Sequence, residues 1–197
     1  MNADVLTRER VLDAAEEVLR RYGPAKTTVV DVARFLEVSH GTVYRHFASK
    51  AALRDCVAER WLHRISAPLE GVLAEDRPAP DKLRRWLSTL VAIKRATVRD
   101  DPEMFAAYSG LAEAARDVVA AHVADLVRQI RTILDKGVAE GAFSVPDIDR
   151  AARAVFDATV RFHHPLFARE WGADDGEARL SAVLDLVVPG LAAPDRR

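Results

Sequence analysis

Apolar residues recur at spacings of three and four along almost the whole chain, and no segment alternates convincingly with a period of two. That rhythm lines one face of a 3.6-residue helix and never one face of a strand, so the core has to form between helices. Ala, Leu, Arg and Glu, all good helix formers, dominate the sequence. The expected fold is all-α, with about nine helices. The first is expected at residues 7–22, with Val11, Ala14, Ala15, Val18, Leu19 and Tyr22 inward and Gly23-Pro24 ending it. A second starts at Thr28, where "TVVD" offers a hydroxyl to the unpaired amides and Asp31 three residues on. It carries Val32, Phe35 and Leu36 inward and ends near Glu37. Ser39 is a good N-cap for a very short third helix ending at Phe47, and Ser49 for a fourth, 50–74, expected to break or bend at Pro68. The proline-rich "EDRPAP", residues 75–80, reads as a linker. Further helices are expected at 81–99, 102–115, 116–140, 147–169 and 175–189. A small N-terminal module on a larger bundle is implied.

Composition narrows the function. With 49% hydrophobic and 30% charged residues in 197, the chain has the makings of an ordinary folded core. No apolar run approaches the roughly 20 residues that span a bilayer, and acidic residues stand where a signal peptide would be basic and then apolar. A cytoplasmic protein with no membrane partner is expected. The single cysteine, Cys56, excludes an internal disulfide and a Cys-rich metal site. It reads as a small buried hydrophobe on the fourth helix rather than a redox sensor, and no metal or cofactor is expected. A net charge of −1 gives no global affinity for polyanions, so any nucleic-acid surface must be local.

One stretch has that local character. Residues 38–54 contain Arg45, Lys50, Arg54 and two histidines but no acid, and within them lies "SHGTVYRHF", a helix with little to bury beyond Val43 and Phe47. Two helices joined by a tight turn, the second short and opening on small polar residues, form a helix-turn-helix. The second helix of that motif enters the major groove, where carboxylates would be repelled by phosphate. Ser39 and Thr42 can donate to phosphate or touch a thymine methyl, and Gly41 permits close backbone approach. His40 can bond a base edge or a phosphate. Tyr44 can lie along a sugar with its hydroxyl on phosphate, and Lys50 can act as a point charge on the same strand. Arg45 and His46 complete the outward face.

"TTVVDVARFLEVSHGTVYRHFASKAAL", residues 27–53, resembles the DNA-binding signature of the tetracycline-repressor (TetR) family, with Thr28, Ala33, Val38, Ser39, Thr42, Tyr44, Phe47, Lys50 and Leu53 at matching positions. Two residues depart from it. Glu37 stands where the family often has glycine, and a left-handed residue there would cost a non-glycine on the order of 1 kcal/mol, so a differently built turn is expected. Val30 stands where the family often has a basic residue, which shifts the burden of specificity to the short helix. The resemblance implies a DNA-binding domain over 1–53 and a ligand-binding and dimerisation domain over 54–197. It further implies a homodimer reading a pseudo-palindromic operator and a small-molecule effector that releases it.

Within the body, the last two helices are the expected dimer surface, through Leu180, Val183, Leu184, Val187 and Leu191 and through Ala151, Ala154, Val155, Ala158 and Phe162. Trp86, Met104, Phe105, Tyr108, Phe156, Phe162 and His163 are the expected effector contacts, being bulky or polar-tipped and central. In "RFHHP", residues 161–165, adjacent histidines diverge on a helix and do not suit joint metal ligation, and Pro165 reads as a kink. The competing classes are a helical enzyme and a non-specific architectural DNA binder. No phosphate loop, HExxH or nucleophile elbow supports the first, and a charge of −1 disfavours the second.

Overall fold

A computed structural model of the chain describes residues 6–173 and 175–193; Asp174, in the expected break at 170–176, lies outside them. Ten α-helices and two 3-10 segments are present among the described residues, which fall into two compact units.

The first unit holds residues 1–63 and 101–121. Helix α1 (Arg8–Tyr22) is capped by Thr7, whose hydroxyl accepts from the Arg10 amide, and buries Val11, Leu12, Ala14, Ala15, Val18 and Leu19. A 3-10 turn (Pro24–Lys26) leads to α2 (Val29–Phe35), and α3 (His40–Tyr44) follows directly. Tyr22 and Phe35, expected inward, are both exposed. Each is the last residue of its helix, where packing stops although the spacing continues, and the Arg21 guanidinium lies over the Phe35 ring at 5.6 Å.

Helix α4 (Lys50–Ala74) packs Leu53, Val57, Ala58 and Trp61 inward in this unit, and Arg60 ties it to α1 by ion pairs of 2.8 Å to Asp13 and to Glu16. Helix α6 (Pro102–Ala112) belongs here too. Its cap Asp101 pairs with Arg20 of α1 at 2.6 Å, and the Tyr108 ring stacks on Trp61 with centroids 5.5 Å apart. A Cβ on Gly110 would meet the Pro24 ring at 3.3 Å, so α6 rests closely on the 3-10 turn.

The second unit holds residues 64–100 and 122–197. Helix α4 continues through Pro68 without interruption, so of the break or bend expected there the break does not occur. The linker is shorter than expected, because α5 (Ala79–Asp100) takes Pro80 into its first turn, where a missing amide hydrogen costs nothing. The buried Lys82 donates to the Leu73 carbonyl at 2.8 Å, closing the end of α4. Helix α7 (Arg116–Ala139), most of which lies in this unit, supplies Leu126, Ile130, Ile133 and Leu134 to the core.

The helix expected over 147–169 divides into α8 (Ile148–Ala158), α9 (Val160–His163) and a 3-10 segment (Pro165–Glu170). The Thr159 hydroxyl takes up the Val155 and Phe156 carbonyls at 3.1 Å each, and its backbone leaves helical values (φ −103°, ψ 4°). Pro165 then forces His164 into extended backbone, which ends α9. Helix α10 (Gly176–Gly190) closes the unit with Leu180, Leu184 and Val188 inward.

Candidate nucleic-acid interface and interior polar site

Helix α3 is held by very little. Val43 is buried on it and Phe47 just after it, while Ser39, His40, Gly41, Tyr44 and Arg45 are exposed and Thr42 and His46 half-buried. Its N-cap is tight: the Ser39 side chain accepts from the Thr42 amide at 3.3 Å, and the two hydroxyls lie 2.9 Å apart. These hydroxyls first fix the helix start, leaving His40, Gly41, Tyr44 and Arg45 as its unengaged outward groups. The His40 and Tyr44 rings meet edge to face at 6.3 Å, one turn apart, forming one continuous outward ridge. Lys50 is exposed at the first position of α4, after the Ser49 cap, which accepts from the Ala52 amide at 3.0 Å. Thr28 caps α2 by accepting from the Asp31 amide at 3.2 Å and donates to the Asp31 carboxylate at 2.5 Å.

The turn before α3 corrects the expectation of a different geometry. Glu37 has φ of 56°, the left-handed value. The Val38 amide donates to the Ala33 carbonyl and the Glu37 amide to Arg34, the paired bonds of a Schellman ending. The same pair of bonds ends α7 at Gly141, from Ala142 to Gly137 and from Gly141 to Val138. The backbone demand is therefore met at Glu37 in spite of its side chain.

Inside the second unit a polar group collects around Lys94. The residue is only 8% exposed, and burial pushes its ammonium down to about 8. His163 of α9 is buried; its Nε2 donates to the Phe156 carbonyl at 3.3 Å and faces the Thr159 hydroxyl at 3.4 Å, with its ring 4.6 Å from Phe156. His122 of α7 has a buried Nε2 without a partner among the described residues. Burial first, and in each case the Lys94 charge among the lesser causes, pulls both imidazoles down to about 4, so both are neutral near pH 7. Two turns back on α5, the Trp86 indole donates to Gln129 at 2.9 Å, and Gln129 donates to Asp125 at 3.0 Å.

Residues 11–56 match the family described as bacterial regulatory proteins, tetR family, and residues 79–184 match the tetracyclin repressor-like, C-terminal domain. The chain is 31% identical over 185 residues, 91% of its own length and 90% of the other's, to HTH-type transcriptional repressor Rv1474c of Mycobacterium tuberculosis. This chain belongs to the TetR family of bacterial regulatory proteins. Its fold is that of transcriptional regulator FadR from Bacillus subtilis, solved in complex with stearoyl-CoA: TM-score 0.66 and 18% identity, covering 94% of this chain and all of that one. A protein of unknown function from Rhodococcus sp. RHA1 is similar too, with TM-score 0.68 and 25% identity over 98% of this chain and all of that one.

The tetR family match, residues 11–56, runs from α1 to the start of α4 and so covers each residue expected from the sequence to face DNA. In this TetR-family chain the residues expected to touch effector are divided. Trp86, Phe156, Phe162 and His163 lie in the second unit, all buried; Met104, Phe105 and Tyr108 lie in the first, with Tyr108 against Trp61. Sequence reasoning missed Lys94 and His122. The signal for Lys94 was present: it continues the inner stripe of Leu83, Leu87, Leu90 and Val91 at helical spacing, where a lysine has no reason to be unless something answers its charge.

The expected dimer stripes are part core and part surface. Leu180, Leu184, Val155 and Phe162 are buried, Ala151, Val183, Val187 and Leu191 half-buried, and Ala154 and Ala158 exposed; Leu186, which is not among the expected contacts, is exposed at 79%. Cys56 is half-buried, accepts from Arg8 at 2.7 Å, and burial raises its thiol pKa, which keeps it protonated.

Proposed function

We propose that this TetR-family chain is a ligand-responsive repressor that binds a pseudo-palindromic operator as a homodimer and leaves it when a small effector occupies the body. The observation that carries the reading is the outward face of α3: acid-free, anchored by Val43 and Phe47, with His40, Tyr44, Arg45 and Lys50 exposed together. The DNA-binding part is residues 1–53 and the effector and dimerisation part 54–197. One helix as short as α3 reads only a few base pairs, so two copies are needed for useful specificity. The dimer forms through α8 and α10, where Ala154 and Ala158 leave room for close approach and Leu186 offers an exposed apolar contact. In this reading the chain works by binding, without catalysis, and acts in the cytoplasm, where the chromosome is. Among the described residues no helix is long and apolar enough to cross a membrane.

Release follows from differential affinity: an effector shifts the dimer only by binding the released arrangement better, on a usual scale of about 1–3 kcal/mol. Support for such coupling comes from α6, which carries expected effector contacts yet packs with α1 through Asp101–Arg20. The test is a titration against genomic fragments and random DNA at moderate salt. The reading expects a preference of at least 10³-fold for particular fragments. Equal affinity for both would refute it, however steep the salt dependence.

A further inference from the structure

Lys94 is a cation without an answer. Among the described residues it makes no hydrogen bond or ion pair, though it lies on the inner face of α5 between buried Leu87, Leu90 and Val91 and the helix α9 packed against α5. The acids whose charge reaches the histidines beside it are spoken for: Asp125 pairs with Arg128 and accepts from Gln129 at 3.0 Å, and Asp157 pairs with Arg153 at 3.2 Å. Three histidines feel its charge, His122 on α7, His163 on α9 and His164 at the end of α9, and Arg95, the next residue on α5, has a buried Nε without a partner among the described residues. The His163 Nε2 is engaged by the Phe156 carbonyl and Thr159, but the His122 Nε2 is buried and free among the described residues. A buried ammonium without a counter-ion is a costly thing to keep unless a bound group supplies the missing charge.

We infer that the effector is an organic monoanion, a carboxylate with an apolar tail, whose acid group takes Lys94 as its counter-ion and the His122 Nε2 as hydrogen-bond donor. The inference rests on the proposed reading of residues 54–197 as the effector-binding part. Charge balance selects the class: with the histidines neutral, one buried positive charge is neutralised by one negative charge, whereas a phosphate dianion would leave a buried excess. The tail is apolar because the residues flanking Lys94 on its face are Leu87, Leu90 and Val91, with Phe156 against His163.

The test uses the full chain and a panel of straight-chain carboxylates from butyrate to hexadecanoate with benzoate and phenylacetate, each beside its neutral amide. Readouts are Trp fluorescence, thermal midpoint and release from operator DNA. At least one carboxylate is expected to bind tenfold or more tighter than its amide and to release the operator, and Lys94→Met is expected to abolish that preference while still binding operator. Lys94→Met without ligand is expected to melt higher than the wild type, having lost the uncompensated charge. The inference is overturned if no carboxylate is preferred over its amide, if Lys94→Met keeps the preference, or if the variant melts no higher. Failure of the wild type to prefer any DNA would refute the regulator reading instead, and release by an amide alone would spare that reading while removing the anion.

Discussion

Glu37 and His163 each hold a conformation or a charge state that their chemistry resists, and each makes a measurable prediction. Glu37 sits in left-handed backbone with an exposed side chain. Glu37→Gly should therefore stabilise the chain by about 0.5–1 kcal/mol, read as a higher urea midpoint at unchanged slope; a lower midpoint would mean that the side chain, not the backbone, governs the turn. His163 has a folded pKa of about 4 against the ordinary 6.5, burial being the first cause. Above pH 6.5 both states are neutral and nothing changes. As pH falls from 6.5 to about 4 the unfolded chain takes up a proton that the folded one refuses, so stability drops, by about 3 kcal/mol for this residue, and then levels off. His122 acts in the same direction. His163→Gln should flatten the fall in urea midpoint between pH 6.5 and 4.5, and an unchanged slope would show that this imidazole is protonated in the folded state.

At the scale of elements, the division of labour in the recognition surface is testable. Tyr44 ends α3 and Lys50 opens α4, both are exposed, and both are assigned to the phosphate backbone in the proposed reading. Tyr44→Phe and Lys50→Ala should weaken binding to all sequences alike, and Lys50→Ala should reduce the slope of log affinity against log salt by about 1. Changes at His40 or Arg45 should instead alter which bases are preferred. The helices themselves were legible from spacing and caps: Thr7, Thr28, Ser39 and Ser49 each cap a helix as their chemistry suggests. The break after α8 was not legible, because it depends on the Thr159 hydroxyl turning back onto its own helix, a choice that a threonine at a buried position makes only in context. Tyr22 and Phe35 misled for a related reason: periodicity extrapolates past a helix end, where packing stops.

Across the molecule, the two units answer differently to sequence reading. The first carries its chemistry in consecutive residues, so the motif and its family match coincide. The second assembles Lys94, His122 and His163 from three helices, a convergence that no local pattern announces. Oligomeric state belongs to this scale. Leu186→Glu places a charge on the exposed apolar face of α10. It should shift the dimer toward monomer in analytical ultracentrifugation and cost operator affinity with it, while the circular dichroism stays helical; a dimer as tight as the wild type would place the interface elsewhere. The central claim is that two copies of α3 read a specific operator. Selection of bound genomic fragments by the wild type and by Arg45→Ala or His40→Ala tests it most directly. The account predicts one enriched pseudo-palindrome with half-sites about one helical turn apart, and a changed base preference within each half-site in at least one variant. Fragments without a shared motif, or a motif that both variants leave untouched, would contradict it.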